Sequence, residues 1–160
     1  MADFKTMALE IGELLKRSGQ TVAVAESSSG GVICAALLSV PGASAYFKGG
    51  AAVYTSQAKQ ILMKLSDEAM AEERAATETH AIHLARAAKD RLGSDWGIGE
   101  TGAAGPTGNR YGDPPGHTCI GLVGPDVERA TTLQTRQTDR GVNMEAFAQA
   151  ALDLLAGCLR

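Results

Sequence analysis

The chain has 160 residues, 44% of them hydrophobic and 21% charged, with 19 glycines and a net charge of −3. That length and composition predict one soluble globular domain, with glycines serving tight turns and close backbone approaches. The small negative charge gives no electrostatic reason to expect a nucleic-acid or membrane partner, while leaving room for a local basic pocket that takes a small anion.

The first residues, MADFKTMALE, mix charges with apolar side chains and are not read as a signal peptide. Phe4, Met7, Ala8, Ile11, Leu14 and Leu15 recur at helical spacing, and Gly19 after Ser18 predicts the stop. TVAVA, residues 21–25, predicts a short buried strand. A helix is expected from near Ser29 to the break at Pro41 and Gly42. GGAAVYT predicts a second strand ending at Tyr54, and SQAKQILMKL a helix, whereas residues 66–77 show no clean boundary. A helix is expected from Glu78 to Leu92, then a strand over DWGIGE. The stretch TGAAGPTGNRYGDPPGH is too rich in Gly and Pro for a regular element, and loops of this length in compact domains are usually functional. TCIGLVG and ERATTLQTR predict a hairpin turning at GPDV. Met144, Phe147, Ala148, Ala151, Leu155 and Cys158 mark one face of a last helix. The order α-β-α-β-α-α-β-β-β-α predicts a layered α/β domain with a mixed sheet. No apolar run is long enough to span a bilayer, and Cys34, Cys119 and Cys158 are too scattered for a disulfide framework or zinc site. A cytoplasmic location is expected.

Chemistry concentrates at AESSSGG, where a buried strand meets a helix start. A serine on such a turn can attack a carbonyl while neighbouring backbone N–H groups hold the oxyanion. The plainer alternative is that Ser29 is an N-cap, and on the local sequence alone that reading is the safer one. A nucleophilic serine needs a base. His80 and His83 lie three apart on a predicted helix and read as surface or partly buried residues. His117 closes the long loop, within reach of a ligand but not required by it. Lys59 follows the second strand closely, five residues after Tyr54, so both reach the serine end of the sheet if the first two strands are neighbours. To act as base, Lys59 must be neutral near pH 7, which burial favours; a solvated surface lysine is the alternative.

AESSSGG, then PGASAYFKGGAAVYTSQAK, TGAAGP and PPGHTCIGLVG together resemble the CinA carboxy-terminal family, from about Leu15 to the end of the chain. The resemblance implies a three-layer α/β/α sandwich. It also implies hydrolysis of the carboxamide of nicotinamide mononucleotide to nicotinate mononucleotide and ammonia, with no metal or cofactor. Matched to the family pattern A-E-S-x-T-G-G, the nucleophile is Ser27, and the Y-S-N-E-A-K pattern assigns Tyr54 and Lys59 beside it. Backbone N–H groups near Ser29, Gly30 and Gly31 are then the candidate oxyanion donors. Thr101, Gly102, Ala104 and Gly105, on the T-G-I-A-G-P loop, would line the nucleotide pocket, and Arg140 in QTDRG would bind phosphate with its planar fork. A homo-oligomer, a dimer first, is expected by the same analogy, as is a stand-alone domain.

The departures bear on the substrate. Ser29 stands where the family has threonine and Ser56 where it has asparagine. The family's H-G-A-V-S segment reads ERAATE, losing a histidine and a glycine, and the loop after AGP reads TGNRYGD, which adds Arg110 and Tyr111. An amidase for another small amide and a catalytically silent nucleotide-binding paralogue therefore stay open beside the nicotinamide-nucleotide amidase.

Overall fold

The computed structural model describes residues 3–160. Strands β1 (Val22–Glu26), β2 (Phe47–Ala52), β3 (Trp96–Ala103), β4 (His117–Gly124) and β5 (Val127–Gln134) form one sheet in the order β2-β1-β3-β4-β5. β1 is parallel to both β2 and β3, while β3, β4 and β5 run as an antiparallel meander. Helices α1 (Phe4–Ser18), α2 (Val32–Leu38) and α6 (Arg140–Leu159) pack on one face; α3 (Ser56–Met63), α4 (Asp67–Glu72) and α5 (Glu78–Leu92) lie on the other. The expected α/β/α sandwich with a mixed sheet is the fold observed.

β1 is buried along its whole length, and the period of two sorts its side chains. Val22 and Val24 join the core with α1, α2 and α6, whereas Ala23 and Ala25 face α3 and α5. β3 is sorted in the same way: Trp96 and Ile98 enter the first core, so Glu100 shares their face and Thr101 takes the other. On that second face β3 carries glycine because α5 approaches so closely. A Cβ on Gly99 would lie 2.1 Å from the carbonyl oxygen of Ala81, a clash with backbone that cannot turn aside.

Several boundaries differ from the sequence expectation. α2 begins at Val32, not near Ser29, because Gly30 and Gly31 both adopt positive φ, 65° and 101°, which no right-handed helix admits. β2 lies two residues earlier than expected and ends at Ala52, opposite Glu26, so Tyr54 sits beyond its end. β3 continues through Ala103 and β4 begins at His117. Thr101 and Gly102 are therefore strand residues, and the irregular segment is 104–116. α4 fills the stretch that lacked a boundary, with Ser66 as its N-cap accepting from the Ala69 N–H. No helix among the described residues is long and apolar enough to cross a membrane.

Candidate active site

Three parallel strands leave the sheet at one edge, β1 and β2 ending level with each other and β3 running on to Ala103. Ser27 follows β1, Tyr54 lies two residues beyond β2, and Ala104 and Gly105 leave β3. Because β1 lies between β2 and β3, Ser27 occupies the middle exit. The first turn of α6 reaches across it. Arg140 donates from Nη2 to Tyr54 Oη at 3.2 Å and from Nη1 to the Gly105 carbonyl, joining the exits on either side of Ser27. Asn143 anchors the same turn by donating to the Ala104 carbonyl at 2.7 Å. Met144 comes down on the serine turn: a Cβ on Gly30 would meet its Cε at 2.6 Å. Arg140 is thus in contact with Tyr54 and Gly105, two of the residues singled out in the sequence.

The serine turn is organised by two fully buried carboxylates that the sequence reading passed over. Glu100 Oε2 accepts from the Ser27 N–H and the Ser29 N–H, each at 2.9 Å, and its Oε1 accepts from Ser28 Oγ and from Thr118 Oγ1. Glu26 accepts from the Ile33 N–H at 3.1 Å and the Cys34 N–H at 2.9 Å. It therefore caps α2, the role the plainer sequence alternative gave to Ser29. Ser29 Oγ lies 2.6 Å from Glu26 Oε1 and 2.9 Å from Glu100 Oε2, and its single hydrogen serves one of them at a time. These contacts also redistribute the expected oxyanion donors. The Ser29 N–H is taken by Glu100 and the Gly30 N–H by the Ser27 carbonyl at 3.1 Å. Of the three, only the Gly31 N–H has no protein acceptor among the described residues.

Lys59 is in the first turn of α3 and is buried, 3% exposed, not solvated. Burial lowers its pKa, opposed by the carboxylate of Glu100. Its Nζ is 3.0 Å from His80 Nε2, and His80 Nδ1 is 3.3 Å from the Glu73 carbonyl oxygen. Among the described residues, no hydrogen bond joins Ser27 Oγ, Tyr54 Oη and Lys59 Nζ to one another. The two helix histidines part company: His80 is buried, whereas His83 bonds Glu72 at 2.6 Å. Burial, reinforced by the charge of Lys59, lowers the pKa of His80 to about 4. The unfolded histidine titrates near 6.5, so the unfolded chain takes up a proton that the folded one refuses. Stability is complete above that value and is expected to fall by about 3 kcal/mol as pH drops from roughly 6.5 to 4. Urea midpoints across that window check this, and a His80→Gln protein should show a flatter dependence.

His117 is the first residue of β4, buried, with Nε2 2.9 Å from the Ala76 carbonyl oxygen and Nδ1 2.7 Å from Gln134 Nε2. Its ring is committed to the protein. Thr101 likewise accepts at Oγ1 from the Ala76 N–H, at 2.9 Å, on the α5 side of the sheet. The departures from the family pattern meet one another. Arg74 in ERAATE donates to Asp113 Oδ2 at 2.8 Å and lies 4.8 Å over the Tyr111 ring. Asn109 Oδ1 accepts from the Tyr111 and Asp113 N–H groups. Burial alone would raise the Asp113 carboxyl pKa, but the bonds from Arg74 and Asn109 outweigh it and hold it below the usual range.

The family model described as the CinA C-terminal domain matches residues 4–159. A CinA-like protein from Gloeobacter violaceus is 38% identical over 155 residues, covering 96% of this chain and 36% of that protein. One from Synechocystis is 43% identical over 155 residues, covering 96% and 37%. The chain thus spans little more than a third of the length of these curated relatives. Among solved structures, a competence-damaged protein (CinA) superfamily member from Klebsiella pneumoniae aligns with a TM-score of 0.92 at 21% identity, covering 99% of this chain and 98% of the other. The competence/damage inducible protein CihA from Agrobacterium tumefaciens aligns with a TM-score of 0.92 at 25% identity, covering 100% and 98%.

Proposed function

The chain belongs to the CinA C-terminal domain family, and from that premise we propose that it is a serine amidase releasing ammonia from the carboxamide of nicotinamide mononucleotide. The observation that carries the proposal is Lys59: a buried amine whose charged form is disfavoured, near enough to the serine turn to feel Glu100. A lysine so placed suits a base for a hydroxyl nucleophile.

In this mechanism neutral Lys59 takes the proton of Ser27, directly or through Tyr54, as Oγ bonds to the carboxamide carbon. The resulting oxyanion is met by the Gly31 N–H. Collapse breaks the C–N bond while Lys59 returns the proton to the leaving nitrogen, and ammonia departs. Water, deprotonated by Lys59, then attacks the ester carbon; the bond to Ser27 Oγ breaks, Lys59 returns the proton to that oxygen, and the pyridine carboxylate is left on the nucleotide. Arg140 uses two of its five N–H donors on Tyr54 and Gly105, which leaves others for the substrate phosphate.

A second reading, the same chemistry on a different small amide, is favoured by the loop bound to Arg74 through Asp113 and Tyr111, because those residues depart from the family pattern. The test is ammonia release from nicotinamide mononucleotide by the wild type and by Ser27→Ala, each with chelator present. Turnover that survives chelator and disappears in the variant supports the proposal. A folded wild type that releases no ammonia from this nucleotide removes it as the substrate.

A further inference from the structure

We propose that His80 is the positioning residue for Lys59: its neutral imidazole takes one N–H of the lysine amine and so keeps the lone pair of that amine off the imidazole and available to the serine nucleophile. The inference rests on the serine–lysine reading above and adds to it a residue outside the resemblance.

The hydrogen-bond geometry determines the tautomer. His80 Nδ1 is 3.3 Å from the Glu73 carbonyl oxygen. A carbonyl only accepts, so Nδ1 carries the hydrogen and Nε2 is bare. Nε2 then accepts, and Lys59 Nζ at 3.0 Å must donate to it. A neutral amine that gives one hydrogen to His80 holds its lone pair in another tetrahedral direction, off the imidazole. Both residues are buried, 3% and 1% exposed.

The charged and titratable groups around the pair are Glu100 on β3, which attracts a proton to Lys59, and His83 one turn along α5, which disfavours a charge on His80. Neither supplies a bond to Nζ; His80 does. The pair also joins the layer's elements, since Lys59 is in the first turn of α3, His80 in the first turn of α5, and Glu73 follows α4. His80 therefore sets where the lysine amine stands as well as how it points.

The test has a spectroscopic arm and a chemical arm. In 15N spectra of imidazole-labelled protein, His80 should show the Nδ1–H tautomer, and its Nε2 resonance should move towards the unbonded value in Lys59→Met. An Nε2–H tautomer, or an Nε2 resonance indifferent to Lys59, overturns the proposal. In the chemical arm, the rate at which Ser27 is acylated by an activated ester is compared among variants. His80→Leu should fall roughly 100-fold, the size expected when a reacting group is misplaced by about 1 Å. His80→Gln, whose amide oxygen can accept from Nζ, should stay within about tenfold of wild type, a rescue that loss of packing alone would not give. A folded His80→Leu protein acylated at the wild-type rate overturns the proposal. If the spectra show the pair as described while wild-type Ser27 is never acylated, the pairing stands and the amidase reading falls.

Discussion

Replacing Lys59 by methionine is expected to lower amide hydrolysis on the order of 10³-fold, the scale of a lost general base, and to change how the stability of the fold depends on pH. The two effects have one origin. Burial holds the folded-state pKa of Lys59 below its ordinary value, against the pull of Glu100. Below the folded value the lysine is charged in both states and folding bears the whole cost of burying the charge. As pH rises from there to the unfolded value, the unfolded chain keeps a proton that the folded chain has shed, so stability climbs. Methionine has similar length and no charge, so the variant lacks that climb. Urea midpoints should show the wild type gaining on Lys59→Met from neutral to alkaline pH, with turnover by the wild type rising in the same direction. A stability difference that stays flat with pH would mean that Lys59 remains fully charged, and the proposed base would be lost with it.

Much of this site could be read before the fold was known. TVAVA is β-rich and flanked by turn residues, and its burial on both faces is what a central parallel strand requires. The spacing from Tyr54 to Lys59 placed both at the exit of a neighbouring strand, and β2 does pair with β1. What escaped was polar burial. Glu100 is the last residue of the expected strand DWGIGE, just before a glycine-rich stretch, and nothing in that local sequence marks it as a buried acceptor. Its alternation with Trp96 and Ile98 was the signal that it faces inward. His80 and His83, three apart on α5, have the same composition-level description, and only the packing of α3 puts one of them under a lysine. Ser29 resembled an N-cap because nothing local revealed that Glu26, at the end of the preceding strand, would reach the α2 N–H groups instead. α4 was missed among charges and alanines, although Ser66 ahead of Asp67 and Glu68 is a helix-start pattern. For Glu100 and His80 the deciding partner is distant in sequence, whereas for Glu26 and Ser66 it lies within eight residues.

Glu100 gives the sharpest separation between holding the site together and running it. Glu100→Ala is expected to destabilise the fold by roughly 3–5 kcal/mol, since buried donors left unpaired cost about 1–3 kcal/mol each. Those donors are the Ser27 and Ser29 N–H groups and the Ser28 and Thr118 hydroxyls. The loss stays below their sum because the hydroxyls can turn to other acceptors and the burial cost of the carboxylate disappears. Glu100→Gln should be much milder. Its amide oxygen can replace Oε2 beneath the two backbone N–H groups, while its NH2 faces the Ser28 and Thr118 hydroxyls, which can turn to accept. Glutamine also removes the negative charge that raises the pKa of Lys59. Lys59 would then lose its proton at lower pH, so the alkaline rise in turnover should begin at a more acidic pH in Glu100→Gln than in the wild type. Denaturation curves and pH–rate profiles of the two variants measure both effects. An onset that moves the other way would sink the idea that Glu100 opposes the neutral form of Lys59. If the onset moves as expected, the carboxylate has two opposed effects: it ties the serine turn to β4 through the Ser27, Ser28, Ser29 and Thr118 donors, and it keeps a proton on the lysine that burial works to remove.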